Sequence, residues 1–182
     1  MDIESREKLN SSNIKSVSPP AALLPALTWT QTSMTPGEAA LFRAHTEGAE
    51  VCSEIWRDAR NRRVAASVFA RIPPTSRECE LYSGGEVPLS EFSFEGDRLY
   101  LTSSYDASVA NTYACDYGWV LIIRVPAGAR LLPLDEVSVH GDREREVVLP
   151  SDCRLVPRIK RKTRSPCAST LPLLEIECDL CF

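Results

Sequence analysis

Tyr100-Leu101-Thr102-Ser103-Ser104-Tyr105-Asp106-Ala107-Ser108-Val109-Ala110 joins two kinds of structure in eleven residues. A strand over Arg98–Thr102 ends in a run of hydroxyls. A short helix over Ala107–Cys115 then follows, with Asp106 placed as its N-cap, where a carboxylate can accept from the orphan amides of the first turn. On the C-terminal side of this junction the chain breaks into short apolar runs separated by Gly, Pro, Ser and Asp. These read as strands at Trp119–Val125, Glu146–Leu149, Arg154–Ile159 and Leu173–Cys178, with one more at Glu80–Ser83 just before the junction. On the N-terminal side the pattern is helical. Thr35, Pro36 and Glu38 form a capping box with proline at the first helical position, and Leu41-Phe42 begins an apolar face. A second helix is expected over Val51–Arg71, with Ile55, Trp56, Ala59, Ala66 and Phe69 at near-helical spacing, ended by Pro73-Pro74. Trp56 and Trp119 sit in apolar runs and are expected in the core. Helices first and strands after argue for an α+β fold with antiparallel sheets rather than alternating βαβ units.

The 182 residues are enough for one domain. Residues 1–34, rich in Ser, Asn, Thr and Pro with no sustained period, are expected as a flexible leader, and 35–182 as the folded domain. Hydrophobic residues at 43% and charged residues at 25% exclude a wholly disordered chain, a collagen-like chain and a coiled-coil rod. No apolar run approaches the roughly 20 residues that span a bilayer, and the polar start shows no secretory h-region. The expectation is a monomer with no membrane contact. Seven cysteines are an odd number at scattered spacings, and Cys178-x-x-Cys181 is a lone pair with only His45 and His140 elsewhere. Neither a disulfide framework nor a metal site is expected from them. The net charge of −4 is unevenly spread: residues 151–164 hold six basic side chains against Asp152, a balance of +5, so the remainder carries −9. The run Lys160-Arg161-Lys162 reads as a solvated strand end; nucleic acid is not firmly indicated.

Chemistry concentrates after Gly141-Asp142-Arg143, where Glu144-Arg145-Glu146 enters a strand. Residues i and i+2 share one face of an extended strand, so the two carboxylates converge if the strand reaches back to Glu144. Two carboxylates in unlike surroundings can divide the stabilisation of an oxocarbenium-like sugar and the handling of a nucleophile. An isolated pair of this kind is more often an exposed polar edge, with Arg143 and Arg145 as charge partners. His140 lies in the preceding loop and reads as solvent-exposed; Tyr105, just before the helix, and Tyr113, within it, read first as core or rim packing. Gly84-Gly85 reads first as a tight turn, with a phosphate cradle of backbone amides as the alternative.

The order of these pieces from Leu81 to Cys178 resembles the catalytic half of arginine-specific mono-ADP-ribosyltransferases, the R-S-E group of toxins and effectors. Thr102-Ser103-Ser104 with the Asp106–Ala110 helix start corresponds to that family's hydroxyl triplet. Arg124-Val125-Pro126-Ala127-Gly128 corresponds to its connector, and Glu144-Arg145-Glu146-Val147-Val148-Leu149-Pro150 to its E-x-E strand. The departure is at the first strand, where Tyr82-Ser83-Gly84 stands in place of Tyr-Arg-Gly. The family arginine holds NAD phosphate, a task for a guanidinium that serine cannot perform. Arg43 and Arg98 are the candidate substitutes.

The resemblance implies N-terminal helices packed on two antiparallel β-sheets with an NAD cleft between them. NAD would be the substrate, with Thr102, Ser103, Ser104, Ser83 and Gly84 lining its site. Glu146 would hold the ribose and stabilise the oxocarbenium ion as nicotinamide leaves, and Glu144 would deprotonate an acceptor arginine on a target protein. Three activities fit: transfer to protein arginine, NAD hydrolysis without an acceptor, and a catalytically degenerate module that only binds a partner protein. The expected location is cytoplasmic, either in the source cell or after delivery into a host cell without a Sec signal.

Overall fold

The computed structural model describes residues 17–85, 88–94, 100–163 and 172–182. Four helices come first: α1 (Leu24–Ser33), α2 (Pro36–His45), α3 (Ala49–Arg57) and α4 (Ala59–Arg71). The capping box at α2 forms as its residues dictate. Thr35 Oγ1 accepts from the Glu38 amide, and Glu38 Oε2 accepts from the Thr35 amide. The Thr35 hydrogen bonds and Arg71 hold the Glu38 carboxyl below the usual range against the opposing effect of burial.

Two helical expectations are corrected. Residues 24–33, assigned to the flexible leader, form α1, and Leu23 and Ala26 are buried in the core. Pro25 falls in the first turn, where its missing N–H costs nothing and its fixed φ suits the start of a helix. Residues 1–16 lie outside the described part. The single helix expected over Val51–Arg71 is two, because Asp58 is extended at φ −72° and ψ 119°. Its carboxylate accepts from the Arg60 amide at 2.7 Å and caps α4, while Arg62 and Asn61 donate to the terminal carbonyls of α3.

The strands are β1 (Cys79–Gly84), β2 (Leu101–Ser104), β3 (Trp119–Val125), β4 (Leu132–Pro133), β5 (Glu146–Leu149), β6 (Arg154–Thr163) and β7 (Leu173–Cys181), with α5 (Ala107–Tyr117) between β2 and β3. Asp106 caps α5 as expected, its Oδ1 accepting from the Ser108 amide and hydroxyl. Residues 95–99, which include the start of the expected Arg98–Thr102 strand, lie outside the described part. The seven strands form one sheet in the order β4-β5-β2-β1-β3-β7-β6. The two expected sheets are therefore two halves of one, joined at β1–β2 by the single register pair Tyr82 and Ser104. Pairing is also not wholly antiparallel: β3 and β7 run parallel from Trp119 opposite Leu174 to Arg124 opposite Asp179.

Among the described residues, the two halves share apolar packing. One buried cluster takes Leu81, Leu121, Ile123, Ile176 and Cys178 from one half and Val147 and Leu149 from the other. On the outer face of β5 and β2, Val148 and Tyr100 pack against Phe42, Trp56, Val68 and Phe69 of the helical layer. The outer face of β1 and β3 is covered by α5 through Ala110 and Ala114.

Candidate active site

Alternation along β2 divides the hydroxyl triplet. Tyr100, Thr102 and Ser104 face the helices, whereas Leu101 and Ser103 face the apolar core. The ladder with β5 sets Ser104 opposite Glu146, Ser103 opposite Val147 and Thr102 opposite Val148. Thr102, Ser104 and Glu146 are thus brought together on the helical face, at the seam where β1 meets β2. Glu146 is 2% exposed.

Ser83 and Ser103 fall on the other face. Ser103 Oγ donates to the Val147 carbonyl at 2.8 Å, and Ser83 Oγ donates to the Thr102 carbonyl at 3.0 Å. Both hydroxyls are thus satisfied by backbone acceptors. Tyr82, not Ser83, occupies the row that continues through Ser104 to Glu146. The β1 side chains on that face come from Glu80 and Tyr82, with Gly84 next, so shifting the assumed register by one residue supplies no arginine. Of the two candidate substitutes, Arg43 is exposed on α2 and Arg98 lies outside the described residues.

Gly84 ends β1. A Cβ there would lie 2.1 Å from the Ala110 carbonyl oxygen and 2.6 Å from Tyr113 Cβ, so the glycine lets α5 lie directly on the strand. Gly85 meets the Trp119 ring in the same way.

The extended E-x-E geometry expected from spacing is also corrected. Glu144 has φ −91° and ψ −13°, and Arg145 sits at φ +49°, so the strand begins only at Glu146. The turn is held by a buried ion pair, Arg145 Nη1 to Asp106 Oδ2 at 2.6 Å. Arg145 therefore serves the α5 cap rather than either glutamate. Ser104 ties the pieces together: it lies opposite Glu146, its hydroxyl donates to the Glu144 carbonyl at 2.8 Å, and the same oxygen accepts from the Asp106 amide at 3.0 Å. The Glu144 carboxylate is half-buried and accepts from the Tyr113 hydroxyl at 2.5 Å, with His140 Nδ1 3.8 Å away. Tyr105 is a core residue whose hydroxyl donates to Asp135 Oδ2 at 2.8 Å.

His45 belongs to none of the sequence motifs, and the structure places it in the site. Its Nε2 is 3.0 Å from Thr102 Oγ1, and its Nδ1 accepts from the Trp56 indole at 2.9 Å. Burial pushes its pKa down to about 4. The available signal was its position three residues after Phe42 on the apolar stripe of α2, where an ionisable side chain is uncommon.

No protein-family model matches the chain, and no curated protein matches it in sequence. Solved structures do. Plx2a, an ADP-ribosyltransferase toxin from Paenibacillus larvae, superposes with a TM-score of 0.67 at 14% identity, covering 98% of this chain and 96% of its own. An ADP-ribosyltransferase from Clostridium botulinum gives 0.65 at 11% identity, covering 93% and 99%. A protein from S. aureus, crystallised with NAD, gives 0.61 at 13% identity, covering 93% and 99%. The chain has the α+β fold of these proteins.

Proposed function

We propose that this chain transfers ADP-ribose from NAD to an arginine of a target protein, releasing nicotinamide. The observation that carries the reading is the convergence of Glu146, Ser104 and Thr102 on one face, with Glu144 held beside them by Ser104 and Tyr113. The structural similarity to an ADP-ribosyltransferase toxin, and to a protein crystallised with NAD, supports the same chemistry. In this reading the buried Glu146 accepts from a ribose hydroxyl and stabilises the cationic sugar as nicotinamide departs. Glu144, more exposed and gripped by a tyrosine, orients an incoming guanidinium and takes its proton. Thr102 and Ser104 line the nucleotide side. In the test, labelled NAD is incubated with the full chain and an arginine-bearing acceptor. Glu146→Ala abolishes both transfer and nicotinamide release, whereas Glu144→Ala keeps more release than transfer. Full transfer activity in both variants would refute the mechanism.

A second reading is favoured by Ser83, which carries no charge and whose hydroxyl is committed to the Thr102 carbonyl. With no cation at that position, the fold would serve as a module that binds a partner protein without catalysis. Calorimetry with NAD separates the two, since a degenerate module gives no saturable heat.

A further inference from the structure

His45 closes the last turn of α2 and is 4% exposed. Its ring lies against Trp56, centroids 5.6 Å apart, and Trp56 is itself packed against Phe42 and Tyr100 at 5.7 and 4.4 Å. The imidazole is therefore fixed in place by the same aromatic cluster that anchors the helices to β2. An indole N–H can only donate, so the His45 Nδ1 that receives it carries no proton. The neutral ring must then bear its proton on Nε2, which faces Thr102 Oγ1 at 3.0 Å. Thr102 Oγ1 is the acceptor in that contact. Its own hydroxyl proton therefore points away from the ring, available to another acceptor. Thr102 stands on the helical face of β2, two residues from Ser104 and diagonal to Glu146 across the β2–β5 ladder.

We propose that His45, locked by Trp56, is a positioning residue that sets the Thr102 hydroxyl as a hydrogen-bond donor into the Glu146 site. The inference rests on the reading of that site as an NAD-dependent transferase, and it adds the group that fixes the polarity of one hydroxyl there. A threonine without such a partner can present either a lone pair or a proton to a ligand. With the imidazole donating to one lone pair, the hydroxyl proton is turned away from the ring and offered to an anionic or carbonyl oxygen of the substrate or of Glu146. The depressed basicity of His45 keeps the neutral tautomer in force across the neutral pH range.

Two replacements divide the two ends of the ring. His45→Asn leaves an amide oxygen near the Nδ1 position, able to accept from Trp56, but removes the donor to Thr102. His45→Gln carries an amide N–H to about the Nε2 position and restores that donor. The expected result is that His45→Asn lowers kcat for nicotinamide release by about tenfold to a hundredfold with little change in thermal stability. His45→Gln recovers most of that loss. Thr102→Val should match His45→Asn, and the double variant should be no worse than either single one, because the two act in series. Equal activity in His45→Asn and the unaltered chain, equal impairment in His45→Asn and His45→Gln, or additive losses in the double variant would each overturn the proposal. Nitrogen NMR of the imidazole gives an arm that does not depend on activity. If the unaltered chain releases no nicotinamide, the reading of the site has failed, and the tautomer still decides the arrangement: a proton on Nε2 upholds it, and a proton on Nδ1 overturns it.

Discussion

Arg145 occupies the middle of the E-x-E segment and shows how a single residue can defeat a spacing argument. Its left-handed backbone turns the chain between the glutamates, and that conformation is costly for a side chain with a Cβ. The compensation is the ion pair with Asp106, whose other oxygen caps α5. Removing one partner would leave a buried charge unpaired, which is far worse than never having had the pair. Nothing in the residue types signalled this, because a non-glycine left-handed residue is held by its tertiary partners. The glutamates themselves were legible, since a strand-entering pair after hydroxyls and a capped helix is a distinctive order. His45 carries a stability consequence of its own. Its folded pKa of about 4 lies below the ordinary histidine value of 6.5, so the unfolded chain binds a proton that the folded chain refuses throughout that interval. Stability therefore rises with pH through the window and falls on acidification, by about 2 kcal/mol at about pH 5 relative to about pH 7.5. Denaturant titrations of the unaltered chain and of His45→Gln at the two pH values check this. The variant, having no group that titrates there, should lose about that much less on acidification, and an identical loss in both proteins would contradict the assignment.

Among the elements, those with strong local signals appeared where the sequence put them: β3 and β5 at their expected limits, α2 with its capping box, and α5 behind Asp106. The misses have physical causes. Asp58 broke one helix into two because its side chain bonds the backbone more favourably than helix continuation would. β4 is two residues long and exists only because Leu132 and Pro133 lie opposite Val148 and Val147. The parallel pairing of β7 with β3 depends on the path of the chain, which no local pattern records. Facing was the least legible feature, since Ser83 and Ser103 look like their neighbours in sequence yet point into the core. Gly84 offers a test of how α5 meets β1. Gly84→Ala would drive a methyl into the Ala110 carbonyl, a backbone atom that cannot step aside. A loss of about 1–3 kcal/mol is expected. Gly37→Ala is the control: nothing lies within 4 Å of its Cβ position, it sits in the first turn of α2, and it should be neutral or slightly stabilising. Equal effects of the two substitutions in thermal melts would show that the α5 contact is not tight.

Across the whole molecule, the uneven charge resolves into the outer strand. β6 lies at the end of the sheet and carries the basic run as a solvated strand, from Arg154 to Thr163, four residues past the expected end. It continues because β7 pairs with it throughout and supplies acids: Arg161 meets Glu177 at 3.1 Å, Arg158 meets Asp179, and Glu177 also binds Arg124 of β3 at 2.6 Å. Its outer edge is exposed backbone, the feature that lets sheets of separate molecules join. At Leu155 that edge is covered, because its amide donates to the Phe94 carbonyl. Beyond it, Pro157 has no amide to offer, the register shifts between Pro157 and Ile159, and Lys160, Arg161 and Lys162 stand exposed in succession. Proline, irregularity and lysine are the devices by which an edge refuses a partner strand. Exposed Val156 and Ile159 would otherwise favour association. The Lys160→Val/Lys162→Val double variant replaces the repulsive charges with β-branched apolar side chains and leaves the pairing with β7 intact. It should self-associate with rising concentration in sedimentation velocity, while the unaltered chain sediments as one species. Matching profiles for the two proteins would mean that Pro157 and the shifted register block the edge unaided, leaving the lysines free of that duty.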